Sequence, residues 1–190
     1  IIQIIVQDIP ILSVGIVISY LLAYINSLER LISLDPLTGI SNRREFLQRL
    51  EDDIKSLKVN EDMYFLFIDI DSFKSINDTE GHNEGDRVLK EIAAALKKYT
   101  KTVNGSCGRY GGDEFALYTV RDIDADFGSV CAELEEYIEK QHIAYGGGKA
   151  VTVSMGCSKY LGDSDDIQGL VFRADKEMYS LKKGKTQKEK

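Results

Sequence analysis

Two adjacent carboxylates, Asp113 and Glu114, directly follow the glycine pair Gly111 and Gly112. Glycine adopts the positive φ angles that two-residue hairpin turns require, and it has no Cβ to hold a phosphate group away from the backbone. Carboxylates at such a turn can hold divalent cations against phosphate oxygens. Taken alone, the motif is equally typical of an ordinary hairpin with acidic residues facing solvent.

A second acidic segment lies upstream, where the apolar run 64–70 is interrupted at Asp69 and followed by Asp71. The run predicts a buried strand with apolar side chains on both faces, and ligands of α/β sheets bind where such strands end. Because side chains alternate along a strand, Asp69 and Asp71 are expected to share a face while Ile70 points away. We assign Asp69 to a metal site, with the Ile70 carbonyl as an extra oxygen ligand, and Asp71 to the cap of the next helix.

The elements that must position these residues alternate between helix and strand, which predicts an α/β sandwich. Helices are expected at 42–57, 72–77, 84–100, 124–141 and 166–183, and strands at 63–70, 106–110, 114–120 and 149–159. Gly146, Gly147 and Gly148 are interpreted as a plain linker before the last strand.

Four motifs in this order resemble the GGDEF domain of diguanylate cyclases: Asp35–Arg44, Asp69–Lys74, Gly81–Asp86 and Gly111–Phe115. The resemblance covers about residues 35–185, with a tail at 186–190. It implies a palm-like sandwich of nucleotidyl cyclases, with one central, mostly antiparallel sheet flanked by helices.

The resemblance also implies an activity, in which two GTP molecules condense into cyclic di-GMP and two pyrophosphates on a homodimer. Mg²⁺, or alternatively Mn²⁺, would be held by Asp69, the Ile70 carbonyl, Asp113 and, as a lesser candidate, Glu114. Asp113 is also a candidate general base. Because a metal-bound carboxylate is a weak base, direct deprotonation by the metal-bound environment is an equally good account. Substrate phosphates would be met by Lys74, which we count with Asp113 as catalytic, and by Gly111, Gly112 and Lys182.

Guanine recognition is implied for Asn77 and Asp86, and a substrate contact for His82, whose other interpretation is packing at a helix start. Arg109 and Tyr110 are expected to support the hairpin, and Arg43 and Arg44 to act with Asp35 in bracing the segment before the domain. The alternative function is a catalytically silent domain that binds GTP and regulates a partner.

The sequence departs from the family pattern in two places. Residues Thr102–Gly105 replace the Arg-x-x-Asp of an allosteric product site, so the charge-assisted pairing to product phosphates is lost. The segment Lys183–Lys185 is one residue shorter than usual and ends in lysine instead of arginine.

The first 25 residues differ in character, since residues 9–25 carry no charge. We predict a transmembrane helix at 1–25, a fragment of a longer receptor whose sensor lies upstream, with the catalytic domain on the cytoplasmic side of the inner membrane. A seven-residue repeat of apolar positions continues to residue 32 and predicts a parallel dimeric coiled-coil stalk at 26–34. The repeat comprises Ile4, Ile11, Ile18, Ile25 and Ile32, with Val14, Leu21 and Leu28 between them.

Composition limits the remaining possibilities. The net charge of −7 argues against a nucleic-acid-binding surface, which needs a basic footprint. The three cysteines, Cys107, Cys131 and Cys157, are widely spaced and odd in number, so we predict buried thiols in a reducing compartment and no disulfide framework.

Overall fold

The computed structural model describes residues 13–25, 33–123, 127–162 and 164–188, and the chain divides into two units, Ile1–Ser33 and Leu34–Lys190. In the first unit, residues 13–25 form helix α1, whose side chains are all exposed. Within the described ranges, no helix combines the length and the apolar character needed to cross a bilayer. Residues 1–12 of the predicted transmembrane segment, and 26–32 of the predicted stalk, lie outside the described residues. At the end of the predicted stalk, Leu34 instead forms an isolated antiparallel β-bridge with Ser41, so the stalk does not extend to residue 34.

The second unit alternates strands and helices, in agreement with the predicted α/β sandwich. Its elements are β1 (Ser41–Asn42), α2 (Arg43–Lys55), β2 (Glu61–Ile70), α3 (Phe73–Glu80), α4 (His82–Tyr99), β3 (Asn104–Gly111), β4 (Glu114–Asp122), α5 (Phe127–Glu139), β5 (Ala144–Tyr145), β6 (Lys149–Ala150), β7 (Val153–Lys159) and α6 (Ile167–Lys188).

The central sheet has the strand order β1-β3-β4-β2-β7. Its long strands pair antiparallel, and the short β1 pairs parallel with β3, so the sheet is mixed and mostly antiparallel as predicted. Strand β2 lies between β4 and β7, which explains why its sequence is apolar on both faces.

Helices cover both faces of the sheet. Along β2, Leu66, Ile68 and Ile70 face a core shared with α4 and α5, whereas Phe65 and Phe67 face a second core shared with α2 and α6. The second core is closely packed at α6, because a Cβ on Gly156 would lie 2.0 Å from the Ala174 carbonyl oxygen. This packing fixes the helix that carries Lys182 against the sheet.

Several element boundaries differ from the sequence prediction. The strand predicted at 149–159 begins at Val153, and residues 149–150 instead form β6, which pairs with β5 across a turn through Gly146, Gly147 and Gly148. These glycines thus form a loop, as predicted, but the loop is the turn of a small hairpin, in which all three have positive φ. Helix α3 extends to Glu80, and only Gly81, with φ +87°, separates it from α4.

Candidate active site

The acidic residues meet where β2 ends and β4 begins. Asp69 is the register partner of Glu114, and the Ile70 N–H donates to the Asp113 carbonyl oxygen at 3.4 Å. Register partners on antiparallel strands project from the same face, so the Asp69 and Glu114 side chains are neighbours. The structure thus brings together Asp69, Asp113 and Glu114, as the sequence predicts.

The hairpin turn itself lies one residue later than predicted. Gly111 ends β3 opposite Glu114, and the two turn residues are Gly112, with φ +41°, and Asp113. The prediction that both glycines supply positive φ is wrong, because only Gly112 does. The shift places Asp113 at the tip of the turn, where it is half-buried.

A basic residue from helix α6 completes this cluster. The Lys182 ammonium donates to Asp69 Oδ1 at 2.5 Å, across 113 positions of sequence. The Asp69 side chain is only 9% exposed, while that of Lys182 is 38% exposed and can reach toward a ligand. Lys182 therefore lies at the predicted site, where the Asp69 carboxylate holds its ammonium group.

The electrostatics of the cluster are those of crowded negative charge. Burial raises the pKa of Asp69, and the charges of Asp113 and Asp71 raise it further. The hydrogen bond and the charge of Lys182 lower this pKa, but by less. Burial and the charges of Asp69 and Asp113 likewise raise the pKa of Glu114. Burial alone would lower the pKa of Lys182, but its bond to Asp69 and the nearby carboxylates raise it. Perturbed carboxylates around one ammonium are typical of a functional site.

The donor chemistry of this cluster suits Mg²⁺ or Mn²⁺, which prefer hard carboxylate oxygens. In the described part of the chain, no three carboxylate, histidine or cysteine side chains converge as a ready metal cage. That arrangement agrees with the usual mode of Mg²⁺ binding, in which one or two carboxylates act together with substrate phosphates. The residues present therefore fit a cation that takes its remaining ligands from outside the protein.

Two side chains hold the hairpin in place, as predicted. Arg109 donates from Nε and Nη2 to the Gly112 carbonyl oxygen at 3.0 and 2.7 Å. Tyr110 is the extra residue of a β-bulge, and its ring packs edge-on against Phe67 at 4.9 Å. Arg109 and Tyr110 both lie on β3, so the turn that presents Asp113 is held from this strand.

The predicted bracing of the preceding segment by Asp35, Arg43 and Arg44 stays a prediction, because residues 26–32 lie outside the described residues. Asp35 accepts hydrogen bonds from Arg109 Nη1 and from the Thr38 backbone and hydroxyl, while Arg43 stacks 4.3 Å from the centre of the Tyr110 ring. Sequence offers no signal for a contact between residues 35 and 109, which are 74 positions apart. Asp35 therefore helps to secure the hairpin through Arg109.

Asp71 also differs from its predicted role. Helix α3 takes Ser72 as its N-cap residue, and the Asp71 carboxylate instead accepts hydroxyl hydrogen bonds from Thr152 at 2.8 Å and Ser154 at 2.5 Å. Sequence reasoning missed Thr152 and Ser154, which lie near the start of β7 and carry no motif. Together they fix the loop that joins β2 to α3.

The remaining predicted residues lie on the α3–α4 pair. Lys74 is exposed in the first turn of α3, and His82 and Asp86 are exposed in the first turns of α4. Asn77 is half-buried, and a Cβ on Gly85 would lie 2.0 Å from its Oδ1 atom. Gly85, the residue before Asp86, therefore lets α4 approach α3 closely. This close approach packs the Asn77 side chain against the backbone of α4.

A separate cleft of about 530 Å³ opens beside Glu114, between α2, the hairpin and α6. Arg43, Tyr110 and Phe172 line it, but the predicted guanine contacts do not. The residues predicted to contact guanine, Asn77 and Asp86, therefore lie outside this cleft.

Comparison with known proteins decides the family. The family model "Diguanylate cyclase, GGDEF domain" matches residues 32–188. The chain belongs to the GGDEF family. The match agrees with the range of 35–185 expected from the four motifs.

The relatives include named enzymes and regulators. Diguanylate cyclase A of Treponema denticola is 39% identical over 123 residues, covering 64% of this chain and 33% of that protein. Response regulator PleD of Caulobacter vibrioides is 35% identical over 161 residues, covering 83% of this chain and 35% of that protein. The chain thus spans about a third of the length of these curated relatives.

A solved structure shows the same fold. The coiled coil and GGDEF domain of DgcB from Caulobacter crescentus, determined in complex with c-di-GMP, aligns with a TM-score of 0.70 over 94% of this chain and 95% of that one. At 23% sequence identity, this likeness shows the fold alone. It confirms the predicted GGDEF-type sandwich.

Proposed function

We propose that this chain is a diguanylate cyclase, which joins two GTP molecules into cyclic di-GMP and releases two pyrophosphates. The observation that carries the proposal is the cluster of Asp69, Asp113 and Glu114 around the Lys182 ammonium. A catalytically silent GTP-binding domain has less need of a carboxylate whose ionised form is disfavoured by burial and by its neighbours. Family membership and named cyclases among the relatives support the same conclusion.

In this proposal, Asp69, Asp113 and the Ile70 carbonyl hold Mg²⁺ or Mn²⁺, with Glu114 as a further ligand. The cation supplies charge neutralisation and orientation of the triphosphate. Lys182 meets phosphate oxygens with the part of its side chain that remains exposed, and Lys74 does so from the first turn of α3. The side chains of Lys182 and Lys74 thus bring positive charge to the phosphates from two different helices, α6 and α3.

The loop between β2 and α3 is suited to approach a phosphate closely. Ser72 has φ +55°, a left-handed conformation that non-glycine residues seldom adopt, and its side chain makes no capping hydrogen bond to α3. Helix N-termini attract anions through their N–H groups and dipole. We assign this loop to the phosphates, and Gly111 and Gly112 to the other side of the same ligand.

The base is recognised in this scheme by Asn77 and Asp86, with His82 as an additional contact. The Asp86 carboxylate accepts from the N1 and N2 donors of guanine, a pair that adenine lacks, and the Asn77 amide serves the O6 acceptor. Fixing Asn77 against Gly85 restricts its rotamers and so favours one base orientation.

The reaction requires two domains, each bearing one GTP, to face one another as a homodimer. The 3′-oxygen of one nucleotide forms a bond to the α-phosphorus of the other, and the bond to the bridging oxygen breaks to release pyrophosphate. In this scheme the 3′-hydroxyl loses its proton either to Asp113 or through the metal-bound environment, which lowers the pKa of a bound hydroxyl. Most of the acceleration comes from positioning and charge stabilisation.

We further propose that residues 1–25 attach the chain to the cytoplasmic membrane, that 26–32 form the dimeric stalk, and that an upstream sensor controls the domain. The exposed apolar side chains of α1, including Val14, Val17 and Leu21, need a lipid or protein cover. Fractionation of expressing cells tests the anchor: the chain should stay with membranes through a high-salt wash. Recovery in the supernatant would exclude it.

The test of activity is incubation of the purified chain with GTP and Mg²⁺ at high protein concentration, followed by chromatography with mass detection. We expect a cyclic di-GMP product that is lost in Asp113→Ala and retained in Asp122→Ala, a control at the exposed far end of β4. GTP binding without product, even when the chain is fused to a strong parallel dimer, would instead support the regulatory alternative.

A further inference from the structure

A single arginine on helix α4 joins that helix to the small β5–β6 hairpin. Arg87 Nη2 donates to the Ala144 carbonyl oxygen on β5 at 2.5 Å, across 57 positions of sequence. The same guanidinium donates to Glu84 from Nε at 3.0 Å and from Nη2 at 2.7 Å, and to Glu91 from Nη1 at 2.5 Å. The planar fork of arginine holds several acceptors in one fixed arrangement, which lysine cannot reproduce. Through Glu84, Arg87 thus ties the first turn of α4 to the hairpin.

The first turn of α4 depends on such a tie. Its N-cap residue is Gly81, which has no side chain, and no described side chain caps this end of the helix. His82 and Asp86 are exposed, and the apolar core contacts of α4 begin only at Val88. Gly81, with φ +87°, is also the single residue between α3 and α4, and glycine restricts the direction of the chain least. The backbone here therefore does little to fix the direction of the first turn.

The hairpin also touches both parts of the predicted nucleotide site. At its tip, a Cβ on Gly146 would lie 2.2 Å from Glu80 Oε1, so the turn lies against the last residue of α3. The strand that leaves the hairpin leads to Thr152, whose carbonyl oxygen accepts the Asp71 N–H at 2.9 Å in the loop between β2 and α3. The hairpin therefore connects the helices assigned to the base with the loop assigned to the phosphates.

We propose that Arg87 is a positioning residue for base recognition, which holds the first turn of α4 so that Asp86 meets the guanine edge. The inference rests on the proposed function, in which Asp86 and Asn77 contact the base. Arg87 acts through Glu84 and the hairpin and does not itself contact the nucleotide. Without its guanidinium, the first turn can shift about Gly81, and the Asp86 carboxylate loses its fixed distance to the N1 and N2 donors of guanine.

The test compares two nucleotides that differ by one amino group. GTP and ITP analogues with a methylene bridge between the α- and β-phosphates release no pyrophosphate, and only the guanine analogue carries the 2-amino donor. Isothermal titration of the full 190-residue chain with Mg²⁺ gives both dissociation constants. The unaltered chain should prefer the guanine analogue by about tenfold to a hundredfold, the usual worth of a charge-assisted hydrogen bond.

Three variants measure the part of Arg87 in that preference. Arg87→Gln should lower the preference by at least about threefold, because the guanine analogue loses more affinity than the hypoxanthine analogue. Arg87→Lys keeps the charge but not the fork, so its preference should lie in between. The control Lys90→Gln removes an exposed cation from the same helix and should keep the preference within about twofold of the unaltered chain.

The outcomes separate this inference from the proposed function. An unchanged preference in Arg87→Gln would overturn the inference and leave the cyclase proposal standing. An unaltered chain that binds both analogues equally would overturn the base contacts, and the inference with them. If the chain distinguishes the analogues but forms no cyclic di-GMP, the proposed activity fails, while a lower preference in Arg87→Gln still supports the role of Arg87.

A second variant tests the path from the hairpin to the first turn. Glu84→Gln keeps Arg87 and its bond to Ala144 but weakens the link to the first turn, so it should also lower the preference. Amide hydrogen exchange at residues 143–151 should become faster in Arg87→Gln and stay unchanged in Glu84→Gln. Full preference in Glu84→Gln would overturn the inference, and this variant decides the question even if Arg87→Gln does not fold.

Discussion

Helix α6 makes two ion pairs of the same length, but the pKa values of the two carboxylates shift in opposite directions. Near its start, Arg173 Nη2 donates to Asp165 Oδ2 at 2.5 Å, and near its end, Lys182 Nζ donates to Asp69 Oδ1 at 2.5 Å. The two carboxylates are similarly shielded, 6% and 9% exposed, and the two cations are 36% and 38% exposed. Yet the pKa of Asp165 is lowered and that of Asp69 is raised.

The surroundings of each carboxylate explain the difference. Asp165 accepts two hydrogen bonds from Arg173 and one from the Leu161 N–H, which together outweigh burial. For Asp69, burial outweighs the single bond from Lys182, and Asp113 and Asp71 add negative charge. The first pair is saturated and structural, while the second is undercompensated and thus suited to bind an additional cation.

The largest expected effect is on catalytic activity, which should depend on Asp69 and not on Asp165. Asp69→Asn preserves shape but removes the charge, and in a cyclase we expect kcat/KM to fall by at least about 10²-fold, the usual cost of losing an electrostatic contact at a reacting phosphate. Asp165→Asn should stay within about twofold of the unaltered chain. Steady-state assays of cyclic di-GMP formation check both. Equal losses in the two variants would remove the distinction between a functional and a structural pair.

A second prediction compares adjacent lysines of α6. Lys182→Gln removes a charge-assisted contact worth about 1.5–3 kcal/mol, so kcat/KM for GTP should fall by roughly tenfold to a hundredfold. The matched control is Lys183→Gln, because the Lys183 ammonium lies 4.4 Å from the centre of the Tyr179 ring on an exposed part of the helix. Initial rates over a range of GTP concentrations provide the measurement. A comparable loss in Lys183→Gln would assign the effect to the helix instead of to Lys182.

The third prediction concerns stability, for which we expect the larger effect at Asp165 and the smaller one at Asp69. Asp165→Asn should lower the free energy of unfolding by about 1–2 kcal/mol, a value reduced for the partial exposure of Arg173. Asp69→Asn should change it by less than about 1 kcal/mol in the stabilising direction, because lost repulsion offsets the lost Lys182 bond. Urea unfolding measures both. Greater destabilisation in Asp69→Asn would mean that the site pair is structural after all.

These contrasts show what sequence could and could not predict. Asp69, Asp113 and Glu114 were found because strand ends and a glycine turn have local signatures. The exact turn was missed by one residue, because Gly111 and Gly112 are equally able to adopt positive φ and strand register decides between them.

Contacts between distant segments had no local signature at all. The bond from Arg109 to Asp35 and the bonds from Thr152 and Ser154 to Asp71 depend on strand pairing that only the folded chain reveals. Lys182 was assigned through the family motif, and its bond to Asp69 was likewise unforeseen. Supporting residues are therefore harder to predict than the reacting groups they position.

The smallest effect is the pH dependence of the stability differences. The folded pKa of Asp165 lies below the ordinary value of 3.8, so its contribution is fully present above that value and is lost as pH falls below it. The folded pKa of Asp69 lies above 3.8, so the cost of its charge is absent below 3.8 and grows as pH rises through the folded value. Urea unfolding of both asparagine variants between about pH 3 and pH 7 tests the two signs. The loss in Asp165→Asn should persist at pH values where the small gain in Asp69→Asn has already begun to fade, because the Asp69 carboxylate takes up its proton at the higher pH. If the two differences instead disappeared together, the carboxylates would share one environment, and the contrast between the two ends of helix α6 would be lost.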